Sequence, residues 1–281
     1  MSIEFCWRPE DFNSLVESCD RDTATPCILK YMPKNGMVLE AGCGLARYVE
    51  FLSRRGFTVV GVELSQDTVD TVTALAPHLD IRQGDVSELH FEDDSIAGII
   101  SLGVVEHFVA GPEKPLREMF RVLKPGSYGV ITVPSFNLIR RIKYHLGPHL
   151  SVIHPVRTAK QSNTIRRLLG RKPINKRSPR RFTYLPGVVP HRYRHQSELD
   201  EFFEYVFSKQ EFEEELGKVG FRIVESVPIA LIDGIHHDIS KRIVPVRDWT
   251  FYPNALAKGL NYMLGKIPFC HNHMHLCVVR K

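Results

Sequence analysis

Between residues 37 and 134 the apolar positions fall into short, near-continuous runs rich in Val and Ile, separated by stretches with apolar residues at helical spacing. The runs 37–41, 57–63, 79–82, 96–102 and 128–133 predict strands. Continuous rather than alternating apolar character marks a sheet covered on both faces. The spacing within 46–55, 67–76 and 115–123 predicts the helices that cross between them. This alternation predicts an α/β chain with a doubly wound, mostly parallel sheet. A ligand in such a sheet lies beyond the carboxyl ends of the strands.

On either side the rhythm changes. Residues 1–36 read as a helical cap, with short amphipathic patterns over 11–15 and 26–31 and a turn at Pro33-Lys34-Asn35-Gly36. After Pro134, residues 135–207 carry repeated prolines and no sustained period, which predicts an insertion. Regularity returns at Ser208-Lys209-Gln210-Glu211, a capping-box pattern. It opens a helix over 212–219, closed by Gly220 and followed by a strand over 221–227. A second irregular stretch covers 231–272, and residues 274–280 alternate as an edge strand would. The whole of 1–281 is expected to be one domain: cap 1–36, core 37–134, basic insertion 135–207, and C-terminal core 208–281 with the second insertion.

Charge adds a feature that the pattern does not contain. The net charge of +5 conceals a segregation: residues 119–197 hold 17 Lys or Arg and no Asp or Glu. The remainder has 20 basic and 32 acidic residues, a net of −12. An acidic body carrying a basic segment suits either a solvated insertion or one that attracts phosphate, an acidic lipid headgroup or nucleic acid. Six cysteines in 281 residues suggest free thiols in a reducing cytoplasm. No apolar leader and no span of membrane length is expected.

The candidate chemistry gathers around Val38-Leu39-Glu40-Ala41-Gly42-Cys43-Gly44, a strand, a tight glycine turn and a helix start. Without a Cβ, glycine lets a ligand lie directly on the backbone. Acids follow at successive strand ends. Glu63 suits the two hydroxyls of a ribose, and Asp85 an adenine amine. Ala46 stands where dinucleotide sites have a third glycine, and Glu40 would repel a pyrophosphate. The pocket therefore reads as one for a cationic nucleoside without phosphates.

These runs, with Val62-Glu63-Leu64-Ser65, Gly84-Asp85, Gly103-Val104-Val105-Glu106-His107 and Leu123-Lys124-Pro125-Gly126-Ser127, resemble the class I S-adenosylmethionine-dependent methyltransferases. They look closest to the small-molecule and quinone-type subgroup with a methyltransferase-11-like domain. The resemblance covers 37–134 and implies a Rossmann-like, seven-stranded sheet with an antiparallel last strand. Insertions after the fifth and sixth strands would cover the active site. It implies S-adenosyl-L-methionine as cofactor, with Glu40, Gly42, Cys43 and Gly44 at the methionine moiety. Glu63 would hold the ribose, and Leu64 would pack on the adenine. Asp85 and Val86 would define the adenine edge, and Leu102 and Gly103 would line the methionine side. His107 would lie close to the transferring methyl.

In-line displacement at a sulfonium methyl asks the protein to position and desolvate the nucleophile. An oxygen nucleophile also needs a base. His107, with an ordinary pKa near neutrality, is the catalytic candidate; the competing reading is that it packs on the cofactor. In the basic insertion, Arg181 and Tyr184, and His191 and His195 in the His-Arg-Tyr-Arg-His run, mix cationic with aromatic groups suited to an anionic acceptor. The basic amphipathic pieces 138–143 and 165–169 suit contact with an anionic membrane surface, or else pack on the core with solvated arginines. In the histidine-rich C-terminus, strand alternation would align His271, His273, His275 and Cys277. Zinc ligands normally converge from separate elements, so no metal is assigned.

The expected function is methyl transfer to a small-molecule or lipid- or sugar-linked acceptor, at oxygen. One alternative is an RNA acceptor held by the basic segment, although no RNA-binding module or Asn-Pro-Pro-Tyr-like motif is present. The other is a non-catalytic cofactor-binding protein with the same fold.

Overall fold

The structure, a computed structural model, describes residues 9–143, 183–184, 193–196, 202–247 and 250–281, with backbone alone at 183–184, 193–196 and 202–203. Two short helices, α1 (Phe12–Ser18) and α2 (Thr25–Tyr31), lead into strand β1 (Met37–Ala41). Then α3 (Arg47–Ser53), β2 (Thr58–Glu63), α4 (Gln66–Leu75), β3 (Asp80–Gln83), β4 (Ile96–Leu102), α5 (Glu113–Val122) and β5 (Leu123–Pro134) alternate as the pattern predicts. The first insertion contributes a small antiparallel sheet of β6 (Thr183–Tyr184), β7 (Tyr193–Gln196) and β8 (Phe202–Val206). Helix α6 (Lys209–Val219) and strand β9 (Arg222–Ile229) return to the core. The second insertion holds α7 (Leu231–Gly234), a π-helical turn (Ile235–Ile239), β10 (Val246–Arg247), β11 (Thr250–Phe251) and α8 (Ala255–Leu264). The last strand is β12 (Met274–Arg280).

The main sheet has seven strands in the order β3-β2-β1-β4-β5-β12-β9. β1 pairs in parallel with both β2 and β4, so the chain order reverses between β1 and β4. Successive residues of β1 point to opposite faces: Val38 packs in the apolar layer under α1 to α3, and Leu39 in the layer with α5 and α6. Burial on both faces is why these strands read as continuous apolar runs rather than alternating ones.

One expectation is overturned. β12 is not an edge strand: it pairs antiparallel with β5 on one side and with β9 on the other, and β9 forms the edge. The alternation that suggested an edge does not mean an exposed face, as His275 shows. It is fully buried, bonded to Ser226 at 2.9 Å and packed edge-on against Phe212 and Phe269.

The insertions leave the carboxyl ends of β5 and β9. The two ends of the first are bonded together: Phe207 N donates to Pro134 O at 3.0 Å and Phe136 N to Phe207 O at 2.7 Å. The Tyr205 hydroxyl, also on the returning segment, donates to Val109 O at 2.7 Å, which fixes β8 against the turn after β4. The second insertion has its own small core of Ile235, Val244 and Ala257. The five described cysteines are free, and among the described residues no helix is long and apolar enough to cross a membrane.

Candidate functional site

The glycine turn is built by bonds to its neighbour strand. Gly42 N and Cys43 N both donate to Val62 O, at 2.9 and 3.0 Å, which folds the end of β1 against the end of β2. Gly42 has φ +80, and a Cβ there would lie 2.5 Å from Val104 Cγ2. Only glycine meets both conditions. Ala46, expected to open the helix, instead adopts the left-handed conformation (φ 55) just before α3.

Two carboxylates hold this turn. Glu63 accepts from Gly44 N at 2.9 Å through one oxygen and from Ser65 N at 3.1 Å through the other. Glu40 is buried and accepts from Val49 N at 3.1 Å in the first turn of α3. Burial pushes its carboxyl up to about 8, opposed by the Arg47 guanidinium and the Val49 N–H. Arg47 is in turn paired with Asp22 at 2.8 Å, and the Tyr48 hydroxyl bonds Thr25 at 2.7 Å, so the N-terminal cap is locked to the helix behind the turn.

Further along the sheet, Asp85 accepts from Ser87 N at 2.7 Å, Val86 is buried, and Gln83 donates to Leu64 O at 3.1 Å. Leu64 and Leu102 are half-buried, and Gly103 has φ +72 at the end of β4. The structure thus brings Glu40, Gly42, Cys43, Gly44, Glu63, Leu64, Asp85, Val86, Leu102 and Gly103 to the carboxyl ends of four adjacent strands. Polar acceptors lie at the ends of β1, β2 and β3 around a turn of backbone, with Glu40 beneath it. That arrangement suits a nucleoside carrying a positive charge and hydroxyls.

Beyond β4 lies a 3-10 turn, Val105–His107, whose Glu106 and His107 are both buried. Among the described residues Glu106 Oε2 has no hydrogen-bond partner, and burial holds its carboxyl well above the usual range. Facing it from β8 is Glu204, pushed up to about 7 by burial, with the Arg140 guanidinium opposing. One ligand atom from each of Glu106, His107 and Glu204 lies within 4.8 Å of the others. Sequence reading found His107 but passed over Glu106 beside it. Nothing in the chain pattern marked Glu204, since its proximity comes only from the path of the insertion.

A second polar group closes the end of β5. Arg140 is 7% exposed and donates to Asp238 at 3.0 Å and to Ser135 O at 2.7 Å. A further guanidinium nitrogen meets His273 Nδ1 at 2.5 Å. Asn137 donates to Asp238 at 2.9 Å and to Asn272 O at 2.8 Å. Lys143 donates to Asp238 O. In the stretch 138–143 the core-packing reading fails at three positions: Arg140 is inside, and Leu138 and Ile142 are exposed.

Of the proposed acceptor-binding residues, Arg181 and His191 lie outside the described residues, as does the stretch 165–169. Tyr184 and His195 lie on β6 and β7, whose side chains at these positions are likewise outside the description. Of the four aligned C-terminal residues, His271 and His273 take partners elsewhere, and His275 and Cys277 stay together. His271 bonds Asn261 at 3.0 Å, His273 meets Arg140 and stacks on His237 at 4.3 Å, and His275 lies 3.4 Å from Cys277.

Residues 39–131 match the model of a family described as a methyltransferase domain. A probable S-adenosylmethionine-dependent methyltransferase of Mycolicibacterium smegmatis is 34% identical over 98 residues, 35% of this chain and 38% of that relative. The chain thus spans little more than a third of that relative's length. A SAM-dependent methyltransferase from Methanosarcina mazei is 16% identical, with a TM-score of 0.54 over 91% of this chain and 97% of that one. The [4+2]-cyclase SpnF is 14% identical, with a TM-score of 0.52 over 95% of this chain and 81% of that one. At these identities the two solved structures share the fold.

Proposed function

We propose, from the premise that residues 39–131 form a class I S-adenosylmethionine-dependent methyltransferase domain, that the chain moves a methyl group onto the oxygen of a small-molecule or lipid- or sugar-linked acceptor. The observation that carries this reading is the row of acceptors at the ends of β1, β2 and β3 around a turn that a Cβ at Gly42 would fill. Those residues fit S-adenosylmethionine, which supplies an electrophilic methyl on a sulfonium. Gly42, Cys43 and Gly44 would offer backbone to the methionine moiety, with Glu40 behind them and Leu102 and Gly103 beside it. Glu63 spends one bond per oxygen on the turn; a carboxylate has about four lone-pair sites, so both ribose hydroxyls can still be accepted. Asp85 would take the adenine amine, and Leu64 and Val86 its faces.

His107, buried just past β4, would take the proton of an acceptor hydroxyl. Arg181, Tyr184, His191 and His195 would hold an anionic part of the acceptor, consistent with the 17 basic residues in 119–197. Exposed Leu256, Tyr262, Met263 and Ile267 on and just after α8, with Lys258 and Lys266 among them, support peripheral contact with an anionic membrane carrying that acceptor. The five free cysteines support a cytoplasmic setting.

The test is calorimetric titration of S-adenosylhomocysteine into wild-type protein and Glu63→Ala. Wild-type protein should bind in the micromolar range, and the variant about 10- to 100-fold more weakly, the effect of removing a charged hydrogen-bond acceptor of about 1.5–3 kcal/mol. Absence of binding to folded wild-type protein would overturn the cofactor reading. Tight, salt-sensitive binding of structured RNA would redirect the acceptor to nucleic acid.

A further inference from the structure

Glu106 and His107 come from the turn after β4, and Glu204 comes from β8, about a hundred residues later in the chain. One ligand atom from each lies within 4.8 Å of the other two. Glu106 is 2% exposed, a carboxylate oxygen of it lies in this group, and its Oε2 has no hydrogen-bond partner among the described residues. Its other oxygen lies 3.4 Å from where a Cβ on Gly103 would stand, so the carboxylate sits at the mouth of the β4 end. The Arg140 guanidinium acts on Glu204 but is committed to Asp238 and Ser135 O. Two buried carboxylates placed together either share a proton or are neutralised by a cation.

We propose that Glu106, His107 and Glu204 form a divalent cation site at the carboxyl end of β4, closed by β8. Two carboxylate oxygens and one imidazole nitrogen suit Mn2+ or Zn2+ better than Mg2+ or Ca2+, which prefer oxygen alone. Three protein ligands leave coordination positions open, as in metal sites that bind a reactant. One role of the site is structural: the cation ties β8 to the turn after β4. The other rests on the methyltransferase reading. With the cation bound, His107 is a ligand rather than a base. An acceptor hydroxyl at an open position is then acidified by the cation, and its proton leaves to solvent.

The experiment uses the full chain, stripped with chelator and free of cofactor. Mn2+ alone is titrated and followed by the loss of its free electron paramagnetic resonance signal, and Zn2+ alone is titrated by calorimetry. Wild-type protein should take up one equivalent of at least one of these ions, and the thermal unfolding midpoint should rise with it. Glu204→Gln, Glu106→Gln and His107→Asn should each weaken uptake at least about 10-fold, the scale on which even outer partners of a metal affect affinity. Where Glu106→Gln fails to fold, Glu204→Gln on the insertion strand carries the comparison. No uptake of either ion by wild-type protein overturns the proposal, as does uptake unchanged in the variants, which would mean a site elsewhere. Because S-adenosylhomocysteine is titrated separately without metal, failure here and failure of the cofactor reading are told apart.

Discussion

Glu63 and Glu40 act in different ways on one turn. Glu63 spans it from outside, joining Gly44 N to Ser65 N, while Glu40 is sealed beneath it on Val49 N. Both were legible in the sequence because an acid at a strand end beside a glycine turn is a local pattern. Their present partners are backbone amides, which no pattern of side chains announces. Gly42 is the position where the chain has least latitude. Gly42→Ala adds a left-handed conformation costing about 1–2 kcal/mol and a clash with Val104, for which overpacking adds about 1–3 kcal/mol. Denaturant unfolding should show a loss of about 2–5 kcal/mol by these two terms together, with weaker S-adenosylhomocysteine binding in whatever fraction folds. A loss under about 1 kcal/mol would mean that the turn tolerates a Cβ by moving Val104.

Elements whose signals are local came out close to their expected bounds. β1 and β4 have the expected limits, and the capping box at the start of α6 is complete: Ser208 Oγ accepts from Glu211 N at 3.3 Å, and Glu211 accepts from Ser208 N at 2.9 Å. Ser208→Ala should therefore destabilise the fold by about 1 kcal/mol, read as a lower unfolding midpoint with the sheet spectrum intact. No change would mean that α6 is held by Phe212 and Leu216 in the core alone. α3 starts one residue later than the pattern suggested, because Ala46 takes the left-handed conformation that closes the turn. β12 kept its limits but not its place. Pairing on both sides is decided by which strands the chain returns to, and periodicity within seven residues carries no such information.

At the scale of the molecule, buried ionisable groups of both signs set how stability depends on pH. Burial holds Glu40 up to about 8, Glu204 to about 7 and Asp233 to about 6, and Glu106 well above its usual range. For these acids the folded state keeps a proton that the unfolded state has lost, so stability falls as pH rises towards those values. Burial holds His237 and His275 down to about 4 and His273 to about 2, with His271 also lowered. For these the unfolded state is the one that gains protons below about 6.5, so stability rises with pH up to there. The two sets oppose each other below about 6.5, and only the acids remain above it. The unfolding midpoint of cofactor-free protein should be nearly level between about pH 5 and 6.5 and should then fall towards pH 8, by about 1.4 kcal/mol per pH unit for each acid still titrating. A midpoint that climbs from pH 7 to 8 would mean that these carboxylates are ionised in the fold.

The sequence by itself determined the doubly wound core, the glycine turn and the acids at the strand ends. All of these rest on short-range patterns: apolar runs for doubly covered strands, glycine where the backbone must turn, and acids a fixed distance beyond. Tertiary structure alone decided that Glu204 meets Glu106 and His107, that Arg140 is buried with Asp238 and His273, and that β12 lies inside the sheet. Each of these joins residues about a hundred or more positions apart, or sets a strand between two others. Such contacts follow from how the insertions leave and rejoin the core, and charge or periodicity along the chain does not encode that path.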